Sequence, residues 1–124
     1  MTREDYDAFC SALPGATWVV QWGGASVWKV GGKVFAIGGW SEGPEFAVTF
    51  KASATSFAIL KAAPGVRPAP YLASRGLLWL QRTDARSLAD GELQDYIRAS
   101  HALVAAGLSK RAQRELGLDR DSRP

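Results

Sequence analysis

Five basic residues and one tryptophan in the middle of the chain have the side chains that a nucleic-acid contact requires. Lysine and arginine attract phosphates and displace the counterions around them, and an exposed indole ring offers a surface on which a base can stack. The candidate nucleic-acid-binding residues are Lys29, Lys33, Lys51, Arg67, Arg75 and Trp79. The alternative is an ordinary solvated surface, with Trp79 covered by the segment 64–76.

Residue types that support catalysis or metal binding are sparse and scattered. The chain has one cysteine, Cys10, and one histidine, His101, which fall on different predicted helices, whereas a metal site needs clustered ligands. His101 lies on the apolar stripe of its helix, where we expect a packed, hydrogen-bonded side chain rather than a catalytic base. The sequence contains no phosphate-binding loop, dinucleotide fingerprint or nucleophile elbow. We therefore predict that the protein is not an enzyme and has no catalytic residues, no metal and no cofactor.

Charge is unevenly distributed along the chain, although the net charge of its 124 residues is only +3. Residues 18–89 contain eight basic and three acidic residues, whereas residues 1–17 and 90–108 are each net negative. This distribution favours an anionic partner for the middle of the chain. The sequence lacks an apolar run of roughly 20 residues and the order of a signal peptide, and a single cysteine suits a reducing compartment. We expect a cytoplasmic protein with no membrane partner.

The elements that must position these side chains are organised around the segment 25–38, which predicts a β-hairpin. Gly31-Gly32 supplies the positive φ that a two-residue turn needs, and it lies between two runs in which apolar and polar residues alternate. Val30 should then pair with Lys33, and Trp28 with Phe35. One face of the hairpin would carry Trp28, Val30, Phe35 and Ile37, and the other would carry Val27, Lys29, Val34 and Ala36.

Further strands are predicted at 18–21, 45–51 and 77–82, and helices at 2–12, 90–108 and 110–116. Another short helix should follow Ser53 or Thr55 and end before Pro64, and the segment 64–76 should be an ordered loop. The predicted fold is α+β with two layers, a mainly antiparallel sheet and helices packed on one face.

Residue parity assigns the strand side chains to the two faces of this sheet. The face under the helices would bury Trp28, Val30, Phe35, Ile37, Phe46, Val48, Phe50, Leu78 and Leu80. The other face would carry Lys29, Ala36, Ala47, Thr49 and Lys51, with Trp79 and Gln81 as neighbours. An antiparallel sheet can leave one face in water, so the second face is the predicted site of nucleic-acid binding.

Several segments, in this order and spacing, resemble the MmcQ/YjbR-like family. They are Leu13-Pro14-Gly15, 28–36, Val48-Thr49-Phe50-Lys51, 64–72 followed by Trp79, 100–104 and 108–111. The resemblance covers about residues 2–116. It implies a CyaY-like or secretion-chaperone-like α+β fold. We predict one domain at 1–118 and, from the polar composition of the last six residues, a frayed C-terminal tail at 119–124.

Members of this bacterial family are commonly described as DNA-binding because a double-wing arrangement has been proposed for them. The family's most recognisable residues match Lys33, Phe35, Lys51, Arg67, Pro68, Tyr71 and Trp79, which the resemblance makes candidates for a shared surface. The chain departs from the family pattern at His101, where an aromatic residue is common, and at the loose Gly38-Gly39 pair.

Three functions are consistent with these observations. The first is DNA binding through the basic sheet face and the 64–76 loop. The second is a protein-interaction or chaperone-like adaptor without nucleic-acid binding, which would hold a protein partner or form a homodimer through sheet edges or the same loop. The third is a small-molecule pocket bounded by Trp22, Trp40 and Tyr71.

Overall fold

The computed structural model describes residues 1–41, 43–72 and 76–118. Its helices are α1 (Arg3–Ser11), α2 (Ala54–Leu60), α3 (Asp90–Ala106) and α4 (Lys110–Glu115). Its strands are β1 (Ala16–Gln21), β2 (Ala25–Val30), β3 (Lys33–Gly38), β4 (Val48–Lys51), β5 (Val66–Pro68) and β6 (Trp79–Arg82). The strands form one antiparallel sheet in the order β1-β2-β3-β4-β6-β5. This confirms the predicted α+β fold, while the predicted tail at 119–124 lies outside the described residues.

Polar caps define where most of the helices begin. Thr2 and Asp5 form a capping box at the start of α1, in which each side chain accepts the other residue's backbone N–H, at 3.4 and 3.0 Å. Ser53 and Ser109 cap α2 and α4. Helix α3 has no side-chain cap, because Ala89 occupies the cap position and Asp90 is the first helical residue. None of the helices in the described part of the chain is long and apolar enough to cross a membrane.

The helices α1, α2 and α3 pack on one face of the sheet. Tyr6 and Cys10 of α1, Leu60 of α2 and Leu93 and Ile97 of α3 are buried there against the strands. The strand residues of this core include Trp28, Val30, Phe35, Ala36, Val48, Phe50 and Leu80. A smaller cluster on the opposite face consists of Ala25, Val27 and Ile37, with Val19, Val34, Trp40 and Leu72 packed against it. We call this second surface the helix-free face.

A bulge in β3 alters the predicted assignment of side chains to faces. Lys29 pairs with Val34 as predicted, but Trp28 pairs with Ala36 instead of Phe35, so Phe35 is an extra residue in its strand. Phe35 and Ala36 therefore both face the helices, and Ile37 lies on the helix-free face. The predictions for Ala36 and Ile37 were wrong because strict alternation does not hold across a bulge.

Ser100 of α3 supports the sheet where this bulge interrupts it. Its hydroxyl donates to the carbonyl oxygen of Phe35 at 2.6 Å and accepts from the backbone N–H of Lys51 at 2.9 Å. These two groups follow the last regular pair between β3 and β4, Ala36 with Phe50. Since Ser100 is fully buried, its hydroxyl satisfies two backbone groups that water cannot reach.

The segment between α2 and β6 differs from its prediction. Val66–Pro68 forms the outer strand β5, where a loop was predicted, and its proline is tolerated because the strand lies at a sheet edge. Leu78, predicted to be buried, precedes β6 and is 37% exposed. Because β5 has only three residues, it shows no recognisable periodicity, and the sequence therefore did not reveal it.

Candidate nucleic-acid interface

The strand register orders the side chains of the helix-free face in rows. One row crosses the sheet and contains Val19, Val27, Ile37, Thr49, Gln81 and Arg67. The neighbouring row contains Thr17, Lys29 and Val34 on β1 to β3, then Lys51 and Trp79 on β4 and β6. Neighbouring strands lie about 4.8 Å apart, so the Cα atoms of Lys29 and Lys51, two strands apart, should be separated by about 10 Å. The middle of the face is closed to water, contrary to the prediction, because Thr49 and Gln81 are 0% exposed. Lys29 and Lys51 lie in the row beside it, and Arg67 lies at its end.

The structure places the predicted binding residues in different surroundings. Lys29, Lys51 and Arg67 lie on the helix-free face together with the half-buried Trp79. Lys33 is exposed at the end of the hairpin, but it pairs with Val30, whose side chain faces the helices. The sixth candidate, Arg75, lies outside the described residues.

The charges of this face are not neutralised by neighbouring acids. The strands of the described chain contain no aspartate or glutamate. Among residues 1–41, 43–72 and 76–118, the ion pairs involve none of Lys29, Lys51 and Arg67. An anion that approaches this face therefore meets unpaired cations.

Arg82 belongs to the basic middle of the chain but does not contribute to this face. Its side chain lies on the helix side of β6 and is 1% exposed. Its Nε donates to the carbonyl oxygen of Leu88 at 3.0 Å, and its Nη2 donates to Asp90 Oδ1 at 2.9 Å. The guanidinium joins β6 to the start of α3, so its charge is already balanced inside the protein.

An open cleft of about 750 Å³ adjoins the Arg67 end of the helix-free face. Trp40, Tyr71 and Arg67 contribute to its lining. The ring centroid of Trp40 lies 5.5 Å from that of Trp22 and 6.1 Å from that of Tyr71. Trp22 is 50% exposed and Tyr71 77%. The structure thus brings together the three aromatic residues that the sequence suggested for a pocket, and we call them the aromatic trio.

The backbone of the aromatic trio is strained. Among the described residues, positive φ outside glycine occurs at Trp22 (53°), Trp40 (65°) and Tyr71 (67°). The left-handed conformation costs a non-glycine residue about 1–2 kcal/mol, and it persists only where the surrounding structure imposes it. Because Trp40 and Tyr71 line the cleft and Trp22 packs against Trp40, the fold fixes the positions of their rings.

The buried side-chain amide of Gln81 connects Arg67, the cation of the cleft, to the segment that carries Trp40. Arg67 Nε donates to Gln81 Oε1 at 2.7 Å, and Gln81 Nε2 donates to the carbonyl oxygens of Gly39 and Trp40 at 3.4 and 3.2 Å. Gln81 is fully buried, and its bond to Nε leaves the terminal nitrogens of the guanidinium for another acceptor. The sequence placed Gln81 on the correct face but gave no sign of this role, which depends on partners far away in the chain.

The side chains with intrinsic reactivity are engaged in the core. His101 Nε2 donates to the carbonyl oxygen of Pro14 at 2.7 Å, and the His101 ring meets the Phe35 ring edge-on. Cys10 is fully buried, and this burial, together with the nearby Asp7, raises the pKa of its thiol. In the described ranges, histidine, cysteine and carboxylate side chains form no group of three that could hold a metal ion.

Proteins of known structure share the fold of this chain. Protein DR2400 of Deinococcus radiodurans, with a DUF419 domain, has a similar structure: TM-score 0.80 and 23% identity, covering 94% of this chain and 88% of that one. A protein from Pseudomonas syringae matches with TM-score 0.67 and 16% identity, covering 84% of this chain and 99% of its own. These TM-scores establish a shared fold, and a shared fold does not by itself assign a function.

Comparison with curated protein sequences gives no significant match. The sequence model of the YjbR family, in contrast, matches residues 11–103, which is most of the chain. This match agrees with the resemblance found from the segments around the hairpin, β4 and β5. The chain belongs to the YjbR family.

Proposed function

We propose that this protein binds nucleic acid through its helix-free face, as a binding protein rather than an enzyme. The observation that carries the proposal is the charge of that face. Lys29, Lys51 and Arg67 lie on strands that contain no acidic residue, and no ion pair within the described chain engages them. Such cations gain most from a polyanion whose counterions they can release.

The helix-covered side of the protein supports the same choice of surface. Two of its exposed basic residues have acidic partners close by: Arg98 pairs with Asp95 at 2.9 Å and Arg111 with Glu115 at 3.1 Å. The first turn of α1 adds further carboxylates. A phosphate backbone should therefore be attracted to the helix-free face more strongly than to α1 and α3, whose first turns are acidic.

A salt titration of binding tests the proposal directly. The fluorescence anisotropy of labelled single-stranded and duplex oligonucleotides would be measured between about 50 and 200 mM salt. Three phosphate contacts predict a slope of log K against log salt concentration of about −2 for single strands and about −2.7 for duplex. Absence of binding at the lowest salt, or binding that ignores salt, would contradict the proposal.

The variant Lys51→Gln tests whether the helix-free face is the surface that binds nucleic acid. Loss of one phosphate contact should make the single-strand slope shallower by about 0.7. Lys110→Gln is the matched control, because Lys110 is an exposed lysine at the start of α4 on the helix-covered side, and it should leave the slope unchanged. Equal slopes for the two variants would exclude the helix-free face as the binding surface.

A homodimer formed through β1 is a second candidate, favoured by the composition of that outer strand. Trp18 is 54% exposed and Val20 is 46% exposed, and residues two apart in a strand lie on the same side. An outer strand with free backbone groups pairs readily with another chain. Light scattering should then give twice the mass of one chain, reduced to a single mass by Val20→Lys. A single mass for the unmodified protein at all concentrations would argue against this candidate.

A further inference from the structure

The cleft at the Arg67 end of the helix-free face combines a fixed cation with fixed aromatic rings. Gln81 holds Arg67 through Nε and, through the other end of the same amide, holds the carbonyl oxygen of Trp40. Trp40 in turn contacts Trp22 and Tyr71. One buried side chain and a strained backbone therefore set the distance between cation and rings before any ligand arrives.

This combination matches the chemistry of a single nucleotide. A base is planar and stacks on aromatic side chains with little dependence on its identity, and a guanidinium can give two parallel hydrogen bonds to a phosphate. The cleft's volume of about 750 Å³ falls within the range of about 300–1,000 Å³ that is usual for small-ligand sites. The described residues that line it include no acid, so the phosphate meets no opposing charge from them.

We infer that the cleft binds one unpaired nucleotide, with its base against Trp40 and Tyr71 and its phosphate on Arg67. A base within a duplex is stacked on both faces and cannot reach these rings, so the cleft selects nucleotides that are free or part of a single strand. For a nucleotide within a strand, the inference rests on the proposed function. It then adds a preference for single strands over duplex.

Quenching of tryptophan fluorescence by deoxyadenosine monophosphate tests the cleft without any polymer. The quenching should saturate, and deoxyadenosine or inorganic phosphate alone should bind at least about tenfold more weakly, because each offers only part of the contact. Arg67→Gln should weaken the monophosphate about tenfold and leave deoxyadenosine unchanged. Arg67→Lys, which keeps the charge without the planar fork, should recover only part of the affinity.

Two further variants locate the stacking surface. Tyr71→Ala should weaken the monophosphate and deoxyadenosine alike, because the ring contacts only the base. Trp18→Phe is the control, since Trp18 pairs with Trp28 on the helix side of the sheet, and it should leave the binding constant unchanged. Circular dichroism would show that each variant keeps the native secondary structure.

The oligonucleotide arm of the experiment separates this inference from the proposed function. A single-stranded 12-mer should bind at least about tenfold more tightly than the corresponding duplex, and excess monophosphate should compete with it. Unsaturable quenching, or quenching that Arg67→Gln does not affect, would overturn the inference even if oligonucleotides bind with the expected salt dependence. Saturable quenching that requires Arg67, without any binding of oligonucleotides, would overturn the proposed function and leave the cleft as a site for free nucleotides.

Discussion

Replacement of Ser100 by alanine tests whether one helix side chain holds the bulge in β3. This bulge decides which residues of the strand lie on the helix-free face. The hydroxyl of Ser100 bridges the Phe35 carbonyl and the Lys51 N–H, at 2.6 and 2.9 Å, and is fully buried. Ser100→Ala leaves both backbone groups without their partner in a region closed to water. A buried group that loses its hydrogen bond costs about 1–3 kcal/mol, so the loss of two such bonds should lower the free energy of unfolding by about 2–6 kcal/mol. This loss is a large part of the free energy of unfolding of a whole domain, which is typically about 5–15 kcal/mol.

The assay is urea unfolding followed by circular dichroism, with the slope m compared between variants. Because the loss is local, the midpoint should fall while m stays unchanged. Ser11→Ala is the control, since Ser11 is exposed and its hydroxyl bonds only within α1, and it should change the free energy by less than about 0.5 kcal/mol. If Ser100→Ala costs no more than this control, the bulge is held by other interactions and our account of it is wrong.

Three further predictions concern buried groups. Gly65→Ala should lower the free energy of unfolding by about 2 kcal/mol or more, because the φ of Gly65 is +79° and an alanine Cβ would lie 2.1 Å from Asp84 Oδ1. An unchanged midpoint of thermal unfolding would contradict this close approach of Gly65 to Asp84. Thr49→Val should stabilise the protein by about 1 kcal/mol, since the buried hydroxyl has no hydrogen-bond partner among the described residues; a clear loss of stability in urea would mean that the hydroxyl is bonded. Cys10 should resist a thiol reagent at pH 8 until the protein unfolds, because burial and Asp7 raise its pKa and the thiolate is the reactive form; stoichiometric labelling of the folded protein would contradict its placement.

The parts of the fold that depend on neighbouring residues were predictable from the sequence. The Gly31-Gly32 turn, the capping box of α1 and the apolar stripe of α3 each follow from residues a few positions apart. The placement of Lys29 and Lys51 on one face followed from the same local alternation. The bulge was not predictable, because the residue that supports it, Ser100, is distant in the chain from both strands that it bridges.

The cleft that Trp40, Tyr71 and Arg67 line was predictable only in part. The sequence supplied its aromatic residues, but Trp22, Trp40 and Tyr71 adopt backbone conformations that normally indicate glycine. The role of Gln81 depends on the approach of β5 to β6 and of the Trp40 segment to both, which are tertiary contacts. Conversely, Arg82 added to the predicted basic region, and only its burial beside Asp90 shows that it is not available to a ligand.

The most direct test of the central claim is the change of backbone amide chemical shifts when a single-stranded oligonucleotide is added to the labelled protein at low salt. We predict that the shifts change at Lys29, Lys51 and Arg67 and at the indole N–H groups of Trp22 and Trp40, while α3 and α4 stay unaffected. Changes centred on the exposed basic residues of α4, or no changes at all at saturating oligonucleotide, would contradict the account.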